Sequence, residues 1–235
     1  MGALLLPELS AERERVLTEL IAASGREDAQ TVLRVGAQVM TDVHANLSLR
    51  EALTAPAHEI YTGVLFDALQ AHPLTPEQLQ TAAQDVLIFS GLFGVTGFTD
   101  SIAAYRLSMD VKLGALGNLG TYWKGQLKDP LQGLVGEELV IDCRSATYGK
   151  AFQPAPEQTL MVNSFTEADG RRKVVTHFAK QARGTLAGML LRQDTMPTNI
   201  EEVAQIAAGH WHVEVRPAHG STPHQLDLIT VAEQH

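Results

Sequence analysis

Residues 85–113 hold the groups best suited to chemistry. Val86, Leu87, Ile88 and Phe89 are four consecutive apolar residues stopped by Ser90 and Gly91, the pattern of a strand buried on both faces whose chain leaves the core at Ser90. Gly91-Leu92-Phe93-Gly94 sets two glycines around two apolar residues, so the backbone can turn sharply while Leu92 and Phe93 hold the turn to the core. Such a turn can aim bare N–H groups at an anion. Tyr105 and Arg106 follow, a hydrogen-bonding ring and a planar fork of donors matched to phosphate or carboxylate. Strand end, glycine turn and cation together make a candidate anion site. The plainer alternative is a tight turn that only starts a new element, because short glycine motifs recur by chance.

A second source of cations lies from Arg171 through Gln193, where six Lys or Arg occur with no Asp or Glu. Arg171, Arg172 and Lys173 suit a solvated hairpin tip, whereas Lys180 and Arg183 sit one turn apart at a helix start, where cations oppose the helix dipole. His210 and His212 can share a strand face, but they lack a third metal ligand nearby and read better as surface histidines. Leu113 to Gly120 is glycine-rich without the lysine and hydroxyl of a nucleotide-binding loop, so it reads as a plain loop. Ser90 lacks the flanking glycine of a nucleophile elbow, and no triad stands out.

The elements that must position these groups belong to one mixed α/β domain, with a central mixed sheet flanked by helices. The chain has 235 residues, 45% hydrophobic and 19% charged, enough to bury a sizeable core. Its net charge of −9 repels nucleic acid and anionic membranes in bulk, so a polyanion partner must meet a local basic patch. The single cysteine, Cys143, excludes an internal disulfide and suits a reducing cytoplasm. The amino terminus reads as neither a signal peptide nor a myristoylation site, and no window is apolar enough to span a membrane.

Helices are expected over residues 10–24, from Asp28 to about Asn46, after Pro56 through Leu69 as a mostly buried central helix, after Thr75-Pro76, from Thr121, from Ala179, and after a Thr198 cap. Gly63 inside the central helix suggests close packing or ligand approach. Leu139 to Cys143 reads as a second buried strand with Arg144 at its carboxyl end. Residues 159–166 and 173–178 flank Asp169-Gly170 as a hairpin, and 212–216 and 226–231 alternate as edge strands.

Five segments in this order resemble the YaaA peroxide-stress family: Pro56 with Glu59 to Leu65, Ser90 to Gly94, Tyr105 to Met109 with Lys112-Leu113, Val140-Ile141-Asp142 with Arg144, Ser145 and Tyr148, and His177 to Gly184. The resemblance covers about residues 10–215. It implies a bacterial, cytoplasmic protein that helps cells survive hydrogen peroxide by limiting reactive intracellular iron, sparing DNA and proteins. No reaction and no cofactor come with it. Two departures stand out: the chain starts at a point equivalent to the family's first helix, after its usual strand and Pro/Ser/Lys motif, and the family's Arg-Pro pair reads Gly97-Phe98, which makes the cleft less cationic.

Residues and resemblance together place an anion-binding cleft at Tyr61, Thr62, Gly63, Ser90, Gly91 and Gly94. Tyr105, Arg106, Lys112, Arg144, Lys180 and Arg183 complete it. The expected partner is DNA or another phosphate-bearing ligand, met by a monomer without membrane contact or resident metal. The alternative is an enzyme or small-ligand binder acting on a phosphorylated or carboxylated molecule.

Overall fold

A computed structural model describes residues 4–70, 72–168 and 171–231. In chain order the first elements are α1 (Ser10–Ser24), α2 (Ala29–Val32), α3 (Met40–Ala45), β1 (Thr54–Pro56), α4 (Ala57–Ile60), α5 (Val64–Leu69) and α6 (Pro76–Asp85). The middle holds β2 (Leu87–Ser90), β3 (Gly94–Gly97), β4 (Ser101–Ala103), β5 (Lys112–Leu113), β6 (Gly117–Asn118), α7 (Leu119–Val135), β7 (Val140–Asp142) and α8 (Ala146–Gly149). The last are β8 (Thr159–Ala168), β9 (Arg171–Lys173), α9 (Thr176–Leu191), α10 (Ile200–Ala208), β10 (His212–Arg216) and β11 (His224–Val231). The class is mixed α/β, as expected. The chain divides into two compact units, one of Met1–Tyr61, Ala83–Leu134 and Arg144–Gln153, the other of Thr62–Ala82, Val135–Cys143 and Pro154–His235.

The first unit is built on α1, α7 and three two-stranded ribbons, β1 with β4, β2 with β3, and β5 with β6, all antiparallel. One side of α1 buries Val16, Leu17, Leu20 and Ala23 at helical spacing, and Arg13 lies on that same stripe. The guanidinium stays in the interior because backbone carbonyls take its donors: Nε donates to Phe93 O at 3.0 Å, Nη2 to Leu5 O at 2.6 Å and Val95 O at 2.9 Å, and Nη1 to Leu6 O at 3.2 Å. Arg13 therefore ties the segment before α1 to the β2–β3 hairpin.

The second unit contains the mixed sheet, ordered β10-β11-β8-β7, with β9 pairing β8. β8 runs parallel to both β7 and β11, whereas β10 and β9 are antiparallel to their neighbours. Leu160, Val162, Leu226 and Leu228 face Leu186 and Leu190 of α9 and Val203 and Ala207 of α10, so alternation along the strands and the helical period meet in one core. The α9 glycines let α5 approach closely. A Cβ on Gly184 would lie 2.0 Å from Leu65 O, and one on Gly188 would lie 2.8 Å from Leu69 O. Arg192 then donates through Nη2 to Leu69 O at 3.0 Å, closing the carboxyl end of α5.

Several expected elements differ. The helix from Asp28 to Asn46 is broken where Arg34 adopts φ 56°, so α2 and α3 are separate short turns. The central helix after Pro56 is likewise two short helices, because Gly63 at φ 105° lies outside helical geometry and breaks the run between α4 and α5. Residues 87–90 pair only with β3 in a hairpin rather than entering the central sheet. β11 is an interior strand, not an edge; its polar residues Gln225 and Asp227 are buried because Asn163 Nδ2 donates to both at 2.8 Å and Arg216 grips the Asp227 carboxylate at 3.0 Å. β9 ends at Lys173 and α9 begins at Thr176, while the expected Asp169-Gly170 turn lies outside the described residues. Asn199, not Thr198, caps α10: its Oδ1 accepts from Glu202 N at 2.9 Å, and Glu202 Oε2 accepts from Thr198 N at 2.8 Å. Thr75 and Gln78 cap α6 reciprocally, at 3.3 and 3.0 Å.

Candidate functional site

The Gly91–Gly94 turn joins β2 to β3 and lies inside the first unit rather than at its surface. All four residues are buried. Trp123 covers them: its Nε1 donates to Gly91 O at 2.9 Å, and a Cβ on Gly94 would come within 2.6 Å of its ring. A Cβ on Gly91 would meet Leu107 O at 2.7 Å. The glycines therefore serve close packing, and the reading of this turn as an open N–H cradle for an anion is corrected on that ground. Phe93 N, one of its donors, is spent on Ser90 Oγ at 3.0 Å.

What the hairpin does present is a hydroxyl chain. Ser90 Oγ and Tyr105 OH are 2.6 Å apart, and Tyr105 OH lies 3.1 Å from Tyr61 OH. The two tyrosine rings meet edge to face at 6.2 Å, and Tyr105 packs edge-on against Phe93 at 5.4 Å. Burial pushes the Tyr61 phenol up to about 12 against the pull of hydrogen bonds to Ser90, Tyr105 and Thr96. Burial also leads in holding Tyr105 well above 10.0, with Tyr61 and Tyr148 adding to it. Both phenols are thus neutral at physiological pH, and the chain can donate and relay protons but supplies no base to activate Ser90.

Arg106 follows Tyr105 in a segment that turns at Met109–Asp110, where Val111 N donates to Ser108 O at 3.2 Å, and then enters β5. Leu107, Met109, Val111 and Leu113 point inward; Arg106, Ser108 and Lys112 are exposed. Asn46, fully buried, fixes the start of this stretch by accepting from Arg106 N at 2.9 Å and donating to Arg106 O at 3.0 Å. Asp110, the acidic residue of the row, is held by Arg34 Nη1 at 2.9 Å.

The other sequence candidates are placed differently. Arg144 stacks 4.1 Å above the Phe89 ring and donates to Phe152 O at 2.9 Å. Because Phe89 and Ser90 alternate along β2, that guanidinium and the Ser90 hydroxyl belong to opposite faces of the ribbon. Thr62 and Gly63 are exposed in the second unit, where Gly63 O accepts from Asp67 N at 2.9 Å at the start of α5; no atom lies within 4 Å of a Cβ on Gly63, so close packing does not explain it. Lys180 is exposed on α9, and Arg183 spends its Nε on Val162 O at 2.8 Å. His210 and His212 belong to no group of three or more metal-ligating side chains among the described residues. Sequence reasoning passed over Asn46 and Arg13. Arg13 had left a trace as a charged residue on an apolar helical stripe.

These elements define a mixed α/β protein whose first unit packs a glycine hairpin with a hydroxyl chain at its base, and no described helix is long and apolar enough to cross a membrane. Residues 4–216 match the peroxide stress protein YaaA family, and the chain belongs to it. A UPF0246 protein of Streptomyces coelicolor is 39% identical over 239 residues, covering 100% of this chain and 92% of its own length. A UPF0246 protein of Corynebacterium efficiens is 42% identical over 89% of this chain and 84% of its own. Another, from Corynebacterium glutamicum, is 36% identical over 92% and 87%. Membership brings a general role in peroxide stress.

Proposed function

We propose that this protein serves the peroxide-stress response as a binding protein, limiting reactive intracellular iron and the damage it causes, and that it engages DNA or another phosphate-bearing ligand through the outward row after Tyr105. The observation that carries this reading is that Arg106, Ser108 and Lys112 are exposed along this segment while its acidic member, Asp110, is occupied by Arg34 at 2.9 Å. The row is locally positive on an acidic chain. Asn46 pre-sets the backbone beside Arg106, so less ordering entropy is lost on contact.

Fluorescence anisotropy with duplex DNA tests it. Affinity is expected to fall between about 50 and 200 mM salt with a slope of about −0.9 per phosphate contacted, and the double variant Arg106→Glu, Lys112→Glu is expected to abolish binding. Binding unchanged in that variant, or no binding at low salt, overturns the reading.

A second reading, a small phosphorylated or carboxylated ligand, is favoured by the Ser90–Tyr105–Tyr61 chain, whose neutral hydroxyls suit an anionic oxygen. Calorimetry with inorganic phosphate and acetate separates it: heat lost in Tyr61→Phe but kept in the charge-reversed double variant favours this reading.

A further inference from the structure

A tyrosine outside that row is built differently from the others. Tyr122, on the first turns of α7, donates its hydroxyl to Glu12 Oε2 of α1. Tyr105 meets hydroxyl groups in the contacts described above, whereas Tyr122 meets a carboxylate, which Arg15 steadies from 3.1 Å. Immediately beside it is Trp123, fully buried, with the two rings edge to face at 5.4 Å. Tyr122 itself is only half-buried, so a ring within reach of solvent is coupled on one side to a proton acceptor and on the other to an interior indole.

We propose that Tyr122, with Glu12 as its proton acceptor and Trp123 behind it, is a one-electron oxidation site for hydroxyl radical, the strong oxidant formed from hydrogen peroxide and ferrous iron. A phenol loses an electron far more easily when its proton can leave at the same time, because the radical cation is a strong acid. Tyr122 gives an electron to hydroxyl radical, which becomes hydroxide. The phenol proton crosses the existing hydrogen bond to Glu12, and Glu12 passes it through solvent to that hydroxide. The sum is one hydroxyl radical and one tyrosine giving one water and one phenoxyl radical. Two phenoxyl radicals on separate molecules then couple carbon to carbon into dityrosine, with no further oxidant. Ser90 and Tyr61, being neutral hydroxyls, offer Tyr105 much weaker proton acceptors, so the radical settles on Tyr122.

The site is independent of the anion-binding row, and each can fail without the other. The test exposes the intact chain to ferrous iron and hydrogen peroxide, freeze-quenches it for electron paramagnetic resonance, and maps dityrosine by peptide mass spectrometry. A phenoxyl signal and a crosslink at Tyr122 are expected. Tyr122→Phe should lose both while keeping its circular dichroism spectrum. Glu12→Gln, which keeps a hydrogen-bond acceptor but not a base, should lower the radical yield several-fold even if Tyr122→Phe proves unstable. A signal of equal size in folded Tyr122→Phe, a crosslink mapped to Tyr61, Tyr105 or Tyr148, or an undiminished yield in Glu12→Gln overturns the proposal.

Discussion

Asn46 meets the backbone of Arg106 as a neighbouring strand would. Its Oδ1 accepts the Arg106 N–H at 2.9 Å and its Nδ2 donates to the Arg106 carbonyl at 3.0 Å, with the second Nδ2 proton going to Ser24 Oγ at 3.1 Å. One fully buried amide thus holds a polar segment that has no strand partner at that point, with both its oxygen and its nitrogen satisfied.

Asn46→Asp separates this role from simple bulk. The carboxylate keeps the acceptor for Arg106 N but faces the Arg106 carbonyl and Ser24 Oγ with no proton to give, setting a buried charge against an acceptor that has lost its donor. A loss of about 2–4 kcal/mol is expected in urea unfolding, and the loss should shrink as pH falls and the carboxyl regains a proton. A stability equal to the parent's would mean that the clamp contributes nothing to this segment.

The glycines divide into those the packing requires and those it does not. Gly94 has φ 72° and its missing Cβ would sit 2.6 Å from the Trp123 ring; Gly94→Ala is expected to cost about 3 kcal/mol from combined strain and overpacking and to shift Trp123 fluorescence. Gly184→Ala should cost a similar amount because the obstacle, Leu65 O at 2.0 Å, is backbone and cannot swing away. Gly133, inside α7, has no atom within 4 Å of its Cβ position, so Gly133→Ala should stabilise by up to about 1 kcal/mol through helix propensity. Thermal unfolding of the three variants decides the ranking; Gly94→Ala matching Gly133→Ala would contradict the packing around Trp123.

The sequence made local signals legible and long-range ones opaque, and Gly91–Gly94 shows both. Two glycines around Leu92 and Phe93 after an apolar run mark the end of a strand and a sharp turn, and both are present. That the turn is covered depends on Trp123, 32 positions beyond Gly91, and no local pattern carries that. The helices at 10–24 and 76–85 were readable because their apolar period, or a threonine cap followed by proline, is written within a few residues. The helix expected through Gly63 was not, since the apolar run around it gave no sign of the break that φ 105° makes there. Tyr61, Ser90 and Tyr105 could be named one by one, but their convergence depends on tertiary packing. Asn46 left no trace, because a buried clamp and a solvated helix-end asparagine look alike in sequence.

Ionisation of the buried phenols sets an alkaline limit on the fold. Burial first, and the neighbouring tyrosines after it, hold Tyr105 well above 10.0, while burial, with Tyr148 adding to it, outweighs three hydrogen bonds to bring Tyr61 to about 12. Tyr122 is raised to about 12 as well, by burial and then by its hydrogen bond to Glu12. In each case the folded value lies above that of the unfolded chain, about 10, so between the two the native state retains protons that the unfolded state releases. The stabilisation is complete below pH 10 and drains away as pH rises toward 12. The urea midpoint should therefore be level up to about pH 9 and then fall steeply, with near-ultraviolet phenolate absorbance rising late in the same window. Tyr61→Phe removes one of the contributing phenols and should make the fall shallower, whereas lysine ionisation, common to both proteins, cancels in the comparison. Parallel curves for the parent and Tyr61→Phe would mean that the Tyr61 hydroxyl meets solvent in the folded state, and the hydroxyl chain from Ser90 would lose its terminal member.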